Sequence, residues 1–301
     1  MKALLICPAI RPALVQLAED RPLVTAPLLG ECLVNHWVEH VAALGATHVI
    51  ICAADRAGDV KAAVRNGERW GVRVEVIPTS NELTTAEAAA TYQSDGKAGW
   101  LPAPHDIVVM SHLPGCPATP LFESYASWFA AVVAWMPRAL TPARVRVSEI
   151  RPGIWAGRRA RISPHAQLIA PCWIGDQVLV GANAVLGPGA VVEDRAVIEV
   201  GARVVQSYVA SDTFVGRMTV VNNSLALGST LINWQTDSSL RVPDPFLLCS
   251  LARPRSANFT VRIRQGLGRL VSAPFARSPL GARGPVRLIS NFLANLVSIQ
   301  K

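Results

Sequence analysis

From residue 162 onward, every sixth residue is aliphatic: Ile162, Leu168, Ile174, Val180, Leu186, Val192, Ile198 and Val204. Two places before each stands a small or modest residue: Ala160, Ala166, Cys172, Val178, Ala184, Ala190, Ala196 and Ala202. Gly175, Gly181 and Gly187 follow the aliphatic position in the middle of the run. A strict period of six predicts short strands separated by corners, with three strands to a coil of about 18 residues. The large side chains fill the interior, the small ones fit near the corners, and glycine accepts the turn. Stacked coils bury one continuous aliphatic column. The fold predicted is a left-handed parallel β-helix. Its phase slips near Tyr208, after which Val209, Val215, Val221 and Leu227 take the inward places. About four coils fit between residues 160 and 232.

The first 140 residues carry a different pattern. KALLIC, THVIICA, VRVEVIP and DIVVM read as buried strands. ECLVNHWVEHVAALG, residues 57–69, residues 85–94 and LFESYASWFAAVVAWM read as helices between or after them. Strands alternating with helices predict a parallel sheet covered on both faces. Ligands in such sheets bind beyond the carboxyl ends of the strands. A linker over 141–159 and a basic extension over 233–301 complete the plan.

Charge concentrates at the end of the chain. The formal net charge is +8, and no acid follows Asp244, whereas nine Arg or Lys lie between Arg253 and Lys301. PVRLISNFLANLVSIQ predicts a terminal amphipathic helix, suited to cap the β-helix, to pack on a subunit, or to lie on an anionic membrane surface. Few aromatics interleave with these charges, which argues against nucleic acid. The six cysteines form no C-x-x-C pair and sit in apolar contexts, as in a reducing cytoplasm. A cytoplasmic protein follows, with attachment to the inner membrane face as the alternative through the tail.

The stretch from Arg21 to Pro78, together with the β-helix behind it, resembles the sugar-nucleotide pyrophosphorylases. That resemblance implies an α/β Rossmann-like domain of truncated nucleotidyltransferase type, followed by the β-helix and the basic helical tail. It implies chemistry on a nucleoside triphosphate and a sugar 1-phosphate, with Mg²⁺, in cell-surface polysaccharide synthesis. Arg11 falls on the family's motif arginine and Arg21 on its lysine, so these two and Thr85 are the implied nucleotide and phosphate ligands. Departures from the family pattern predict eroded catalysis. Cys7 and Ala9 stand where glycines would let backbone approach a triphosphate. Glu87 replaces a glycine of the base-binding motif. His112 falls at the metal-aspartate position, where a hard cation wants carboxylate oxygen.

Two alternatives remain open beside a degenerate nucleotide-sugar protein. One is a hexapeptide acyltransferase using His165, the histidine of the repeat region, as general base. The other is a non-catalytic homo-oligomeric scaffold. His36 and His40 have the i, i+4 spacing of a metal pair but no evident third ligand.

Overall fold

In the computed structural model, residues 1–94, 96–139 and 147–252 are described. Of the predicted basic extension, residues 253–301, with the terminal helix, lie outside them. Four strands, β1 (Lys2–Ile6), β2 (His48–Ala53), β3 (Arg73–Pro78) and β4 (Ile107–Val109), pair in parallel in the order β3-β2-β1-β4. Ala3 and Leu5 face one apolar core, Leu4 and Ile6 the other. Burial on both faces explains why β1 and β2 are continuous apolar runs without alternation.

Helices α1 (Leu33–Ala43), α2 (Ala57–Val64) and α4 (Tyr125–Trp135) contribute to the first core. Ala88 of α3 (Thr85–Tyr92) contributes to the second. The helix expected over residues 57–69 stops at Val64. Arg65 and Gly67 take positive φ values of 52° and 80°, which no right-handed helix admits, and Glu68–Trp70 re-enters as a 3₁₀ turn. None of the described helices is long and apolar enough to cross a membrane.

The β-helix has three faces. Face 1 stacks Ile154–Gly157, Cys172–Ile174, Ala190–Val192, Ser207–Val209 and Ser224–Leu227. Face 2 stacks Arg161–Ile162, Leu179–Val180, Val197–Ile198 and Thr213–Val215. Face 3 stacks Gln167–Leu168, Val185–Leu186, Arg203–Val205 and Val220–Asn222. The inward columns are the predicted ones, such as Ile162, Val180, Ile198 and Val215. The left-handed hexapeptide plan therefore stands.

Its boundaries and its end differ from expectation. Ile154–Gly157 already pairs with Cys172–Ile174, so the stack begins before Ala160, and Val147–Arg151, inside the expected linker, pairs antiparallel with that strand. Cys172 stacks on Ala190, eighteen residues on, whereas Ala190 stacks on Ser207 and Tyr208 on Leu225, seventeen on. The phase slips twice. The first slip is at Gln206 beside Tyr208, and the second, unforeseen, is at Asn223; both corners have positive φ, 46° and 49°. The second slip makes Ala226 the inward residue and corrects the expectation for Leu227, which is half-buried. Beyond it, antiparallel strands Thr230–Asn233, Ser238–Arg241 and Leu248–Ser250 close the end, with Leu248 buried against Val215.

Face 1 also turns a row of large apolar side chains outward: Trp155, Trp173, Val191, Tyr208 and Leu225. These belong to the same buried cluster as α1 and α4, so Met1–Ala252 is one unit. Trp128 of α4 meets Tyr208 edge-on at 4.7 Å between centroids, and Phe129 stacks on Trp234 at 5.2 Å. Glu193, fully buried, accepts the amides of Leu29 (2.6 Å) and Gly30 (2.8 Å). The α/β part is thereby fixed to one wall of the β-helix.

Candidate functional site

The strand order reverses between β1 and β4, and the crevice beyond their carboxyl ends is where such sheets bind ligands. β1 runs into Cys7-Pro8-Ala9-Ile10-Arg11. The Ala9 amide donates to Glu82 Oε2 at 2.8 Å, and Arg11 donates through Nη2 to Oε1 at 2.9 Å. Its Nη1 also lies 2.8 Å from Oε2, a two-pronged pairing. Burial pushes the Glu82 carboxyl up, but the Arg11 and Ala9 hydrogen bonds outweigh it and hold the carboxyl below its usual range. The groups that would meet a phosphate already hold an internal anion. Arg56 braces the following segment, donating to Ala18 O (2.6 Å) and Glu19 O (3.3 Å).

The other residues singled out in the sequence do not join Arg11. Arg21 lines a separate cleft against the last β-helix coil. Thr85 opens α3 and is exposed. The Glu87 amide donates to Thr84 Oγ1 (3.2 Å), and the Glu87 carboxylate accepts the Thr84 amide (2.8 Å). That capping box explains a carboxylate where the family has glycine: Glu87 starts a helix.

His112 accepts Trp37 Nε1 at its carbonyl (2.9 Å) and sets its ring edge-on to that indole at 5.3 Å. Burial lowers its pKa, so the ring is neutral at pH 7. A neutral imidazole packed on indole does not fit Mg²⁺, and among the described residues no three His, Cys, Asp or Glu gather as a metal site. His36 and His40 diverge from the expected pair. His36 Nε2 lies 2.9 Å from Leu28 O and its ring meets Trp135, whereas His40 meets His105 at 5.4 Å.

His165 sits at an exposed corner between faces 2 and 3, its amide donating to Ser163 Oγ at 3.3 Å. Ser163 lines a shallow groove of about 410 Å³ on face 2, formed by residues 161–163, 179–181 and 197–199 on three successive coils. Cys32 and Cys172 are buried, and burial pushes both thiols up to about 12.

Two residues of consequence escaped the sequence reading. Glu82 gave no signal, because it pairs with Arg11 across 71 positions. Glu193 gave one: it breaks the column Gly157, Gly175, in which the residue after the inward aliphatic is glycine.

No family model matches the chain, and no curated protein matches it. Among solved structures, the acetyltransferase domain of PglB from Neisseria gonorrhoeae, in complex with acetyl coenzyme A, aligns at 12% identity and TM-score 0.20. The alignment covers 59% of this chain and 80% of that one. A point mutant of perosamine N-acetyltransferase from Caulobacter crescentus, in complex with CoA and GDP-perosamine, aligns at 16% identity and TM-score 0.18, over 60% and 93% of the two chains. Superpositions this loose carry no inference about chemistry.

Proposed function

We propose that the chain is a sugar acyltransferase of the hexapeptide type, acting on a nucleotide-linked or phosphorylated sugar, and that its α/β part does not perform nucleotidyl transfer. The observation that carries this reading is the face 2 groove beside His165. It crosses three coils, its floor bears the outward side chains of Leu179 and Val197, and Arg161 and Glu199 mark its ends. Coils spaced by about 4.8 Å make a narrow channel of roughly 10 Å, suited to the slender amide-bearing arm of an acyl thioester. His165, two residues beyond Ser163, is the general base of the reading. It takes the proton of the acceptor amine or hydroxyl as that atom attacks the thioester carbonyl; the C–S bond breaks, and the thiolate leaves with the proton. No partner to its ring lies among the described residues. The bound acceptor or a second copy of the chain then has to orient it.

Free-thiol release from acetyl coenzyme A in the presence of amino-sugar nucleotides tests the proposal. Turnover that falls by two or more orders of magnitude in His165→Ala is the expected outcome, from the usual contribution of a general base, about 10²–10⁴-fold. Unchanged turnover in that variant removes His165 from the mechanism.

A second reading is a non-catalytic nucleotide-sugar binder or oligomeric scaffold. Glu82, seated on Ala9 N and Arg11, favours it over an active pyrophosphorylase. Its signature is thermal stabilisation by a nucleotide sugar, with neither thiol release nor pyrophosphate release from any triphosphate and sugar 1-phosphate.

A further inference from the structure

A second cleft, of about 400 Å³, opens between the loop after β1 and the last coil of the β-helix. Its volume lies in the range of about 300–1,000 Å³ that small ligands occupy. Arg21 enters from the loop and Arg241 from the closing hairpin, with the hydroxyl residues Ser211, Ser229, Thr230 and Ser250 around them. Neither guanidinium makes a hydrogen bond or an ion pair among the described residues.

The acids of the cleft do not cancel these charges. Asp212 is forked by Arg195, with Nε 2.7 Å from Oδ1 and Nη2 2.6 Å from Oδ2, and Asp20 has a partner of its own. Glu19 is exposed at the rim. The Tyr208 hydroxyl donates to Pro27 O at 2.9 Å and forms the wall. What faces the space is therefore two guanidinium forks, a set of hydroxyls and one solvated carboxylate. Arg21 is half-buried and Arg241 more exposed. A half-buried arginine without a partner loses hydration uncompensated, unless an anion comes to it. Guanidinium forks match phosphate oxygens two at a time, and hydroxyls and carboxylates match the hydroxyls of a sugar.

We propose that this cleft binds a small phosphorylated saccharide, with its phosphate on Arg21 and Arg241 and its hydroxyls on the Ser and Thr side chains and Glu19. The site is separate from the strand-end crevice and from the face 2 groove, and it stands or falls independently of acyl transfer.

Titration calorimetry on the full chain tests it with glucose 1-phosphate, inorganic phosphate and glucose as probes. Glucose 1-phosphate is expected to bind more tightly than either fragment. Arg21→Gln and Arg241→Gln should each weaken it by about tenfold or more, and Thr230→Val by less. Lys61→Gln, an exposed change on α2, should leave binding unaltered, and melting curves of all variants establish that they fold. No binding of glucose 1-phosphate up to about 10 mM overturns the site. Equal affinity in the arginine variants overturns the phosphate assignment. Inorganic phosphate binding as tightly as glucose 1-phosphate overturns the saccharide assignment.

Discussion

Replacing Glu193 with alanine removes a buried polar contact that fastens the α/β part to the β-helix, and its cost can be estimated. The carboxylate is completely buried and lies 2.6 Å from the Leu29 amide and 2.8 Å from the Gly30 amide. Those amides converge because Leu29 and Gly30 form the turn of the Pro27–Leu28 and Glu31–Cys32 hairpin, with φ of 52° and 80°. A leucine in that region costs about 1 kcal/mol by itself, so the turn persists only while its surroundings hold it. A hydrogen bond to a buried charge contributes about 1.5–3 kcal/mol. Alanine orphans both amides and leaves a cavity, and the terms overlap, so about 3–5 kcal/mol is the expected loss. For a unit of this size that corresponds to a fall in melting midpoint of roughly 8–15 °C.

Urea unfolding followed by circular dichroism measures the loss, and hydrogen exchange locates it: the Leu29 and Gly30 amides should exchange slowly in the parent and rapidly in the variant. Glu193→Gln keeps the volume but turns an NH₂ donor toward one of two amide donors, so it should lie between, at about 2 kcal/mol. An alanine variant within about 0.5 kcal/mol of the parent, or a glutamine variant equal to it, would refute the reasoning.

Glycine substitutions test the stacking geometry. A Cβ on Gly175 would meet the Asp194 amide and carboxylate at 2.6 Å, so Gly175→Ala should cost about 2–3 kcal/mol in urea unfolding. Gly58, in the first turn of α2, meets nothing, and Gly58→Ala should stabilise by about 0.5–1 kcal/mol. Stability should also fall on mild acidification. Burial, and for His40 the neighbouring His105, depress the folded pKa values of His40 and His112. Their contribution is therefore complete above the ordinary value of 6.5 and is lost as pH falls through the lower folded values. Melting midpoints between pH 8 and about 5 should decline less in His40→Asn than in the parent; parallel curves would dismiss this assignment.

The repeat was legible because each inward position answers to a local rule, restated every six residues. Its second slip was not: the hexapeptide run ends at the strand that follows Asn223, and Leu227 offers an aliphatic side chain one place from the true position, Ala226. The α/β strands were legible as apolar runs, while the end of α2 was misplaced because Arg65 adopts a left-handed conformation that composition does not announce. The candidate site was the least legible. Arg11 and Arg21 lie ten residues apart and read as one phosphate-binding pair, yet one turns to Glu82 and the other to the β-helix. That division depends on contacts 71 or more positions away in sequence, which no window along the chain contains.

Three irregularities of the repeat nonetheless share one location. Glu193 replaces glycine in its column and takes the amides of the Leu29–Gly30 turn. Gln206 and Asn223, the two shortened corners, both lead into strands of face 1. Each keeps the outward row in step, so that Tyr208 stacks on Val191 and Leu225 on Tyr208, despite the missing residue. The closing hairpin then prolongs the same wall: Ile232 pairs with Leu225, and Trp234 donates to Gln206 O at 2.9 Å while stacking on Phe129. A β-helix that served only as a spacer would have no reason to break its period along one face. These three breaks serve the surface that receives α1 and α4, and face 2, with its groove and His165, lies outside that contact, although Glu199 there also stands in a glycine column between Gly181 and Gly216. The two shortened corners and Glu193 thus mark the docking wall, and the groove of the proposed acyl transfer lies on a face that this wall does not include.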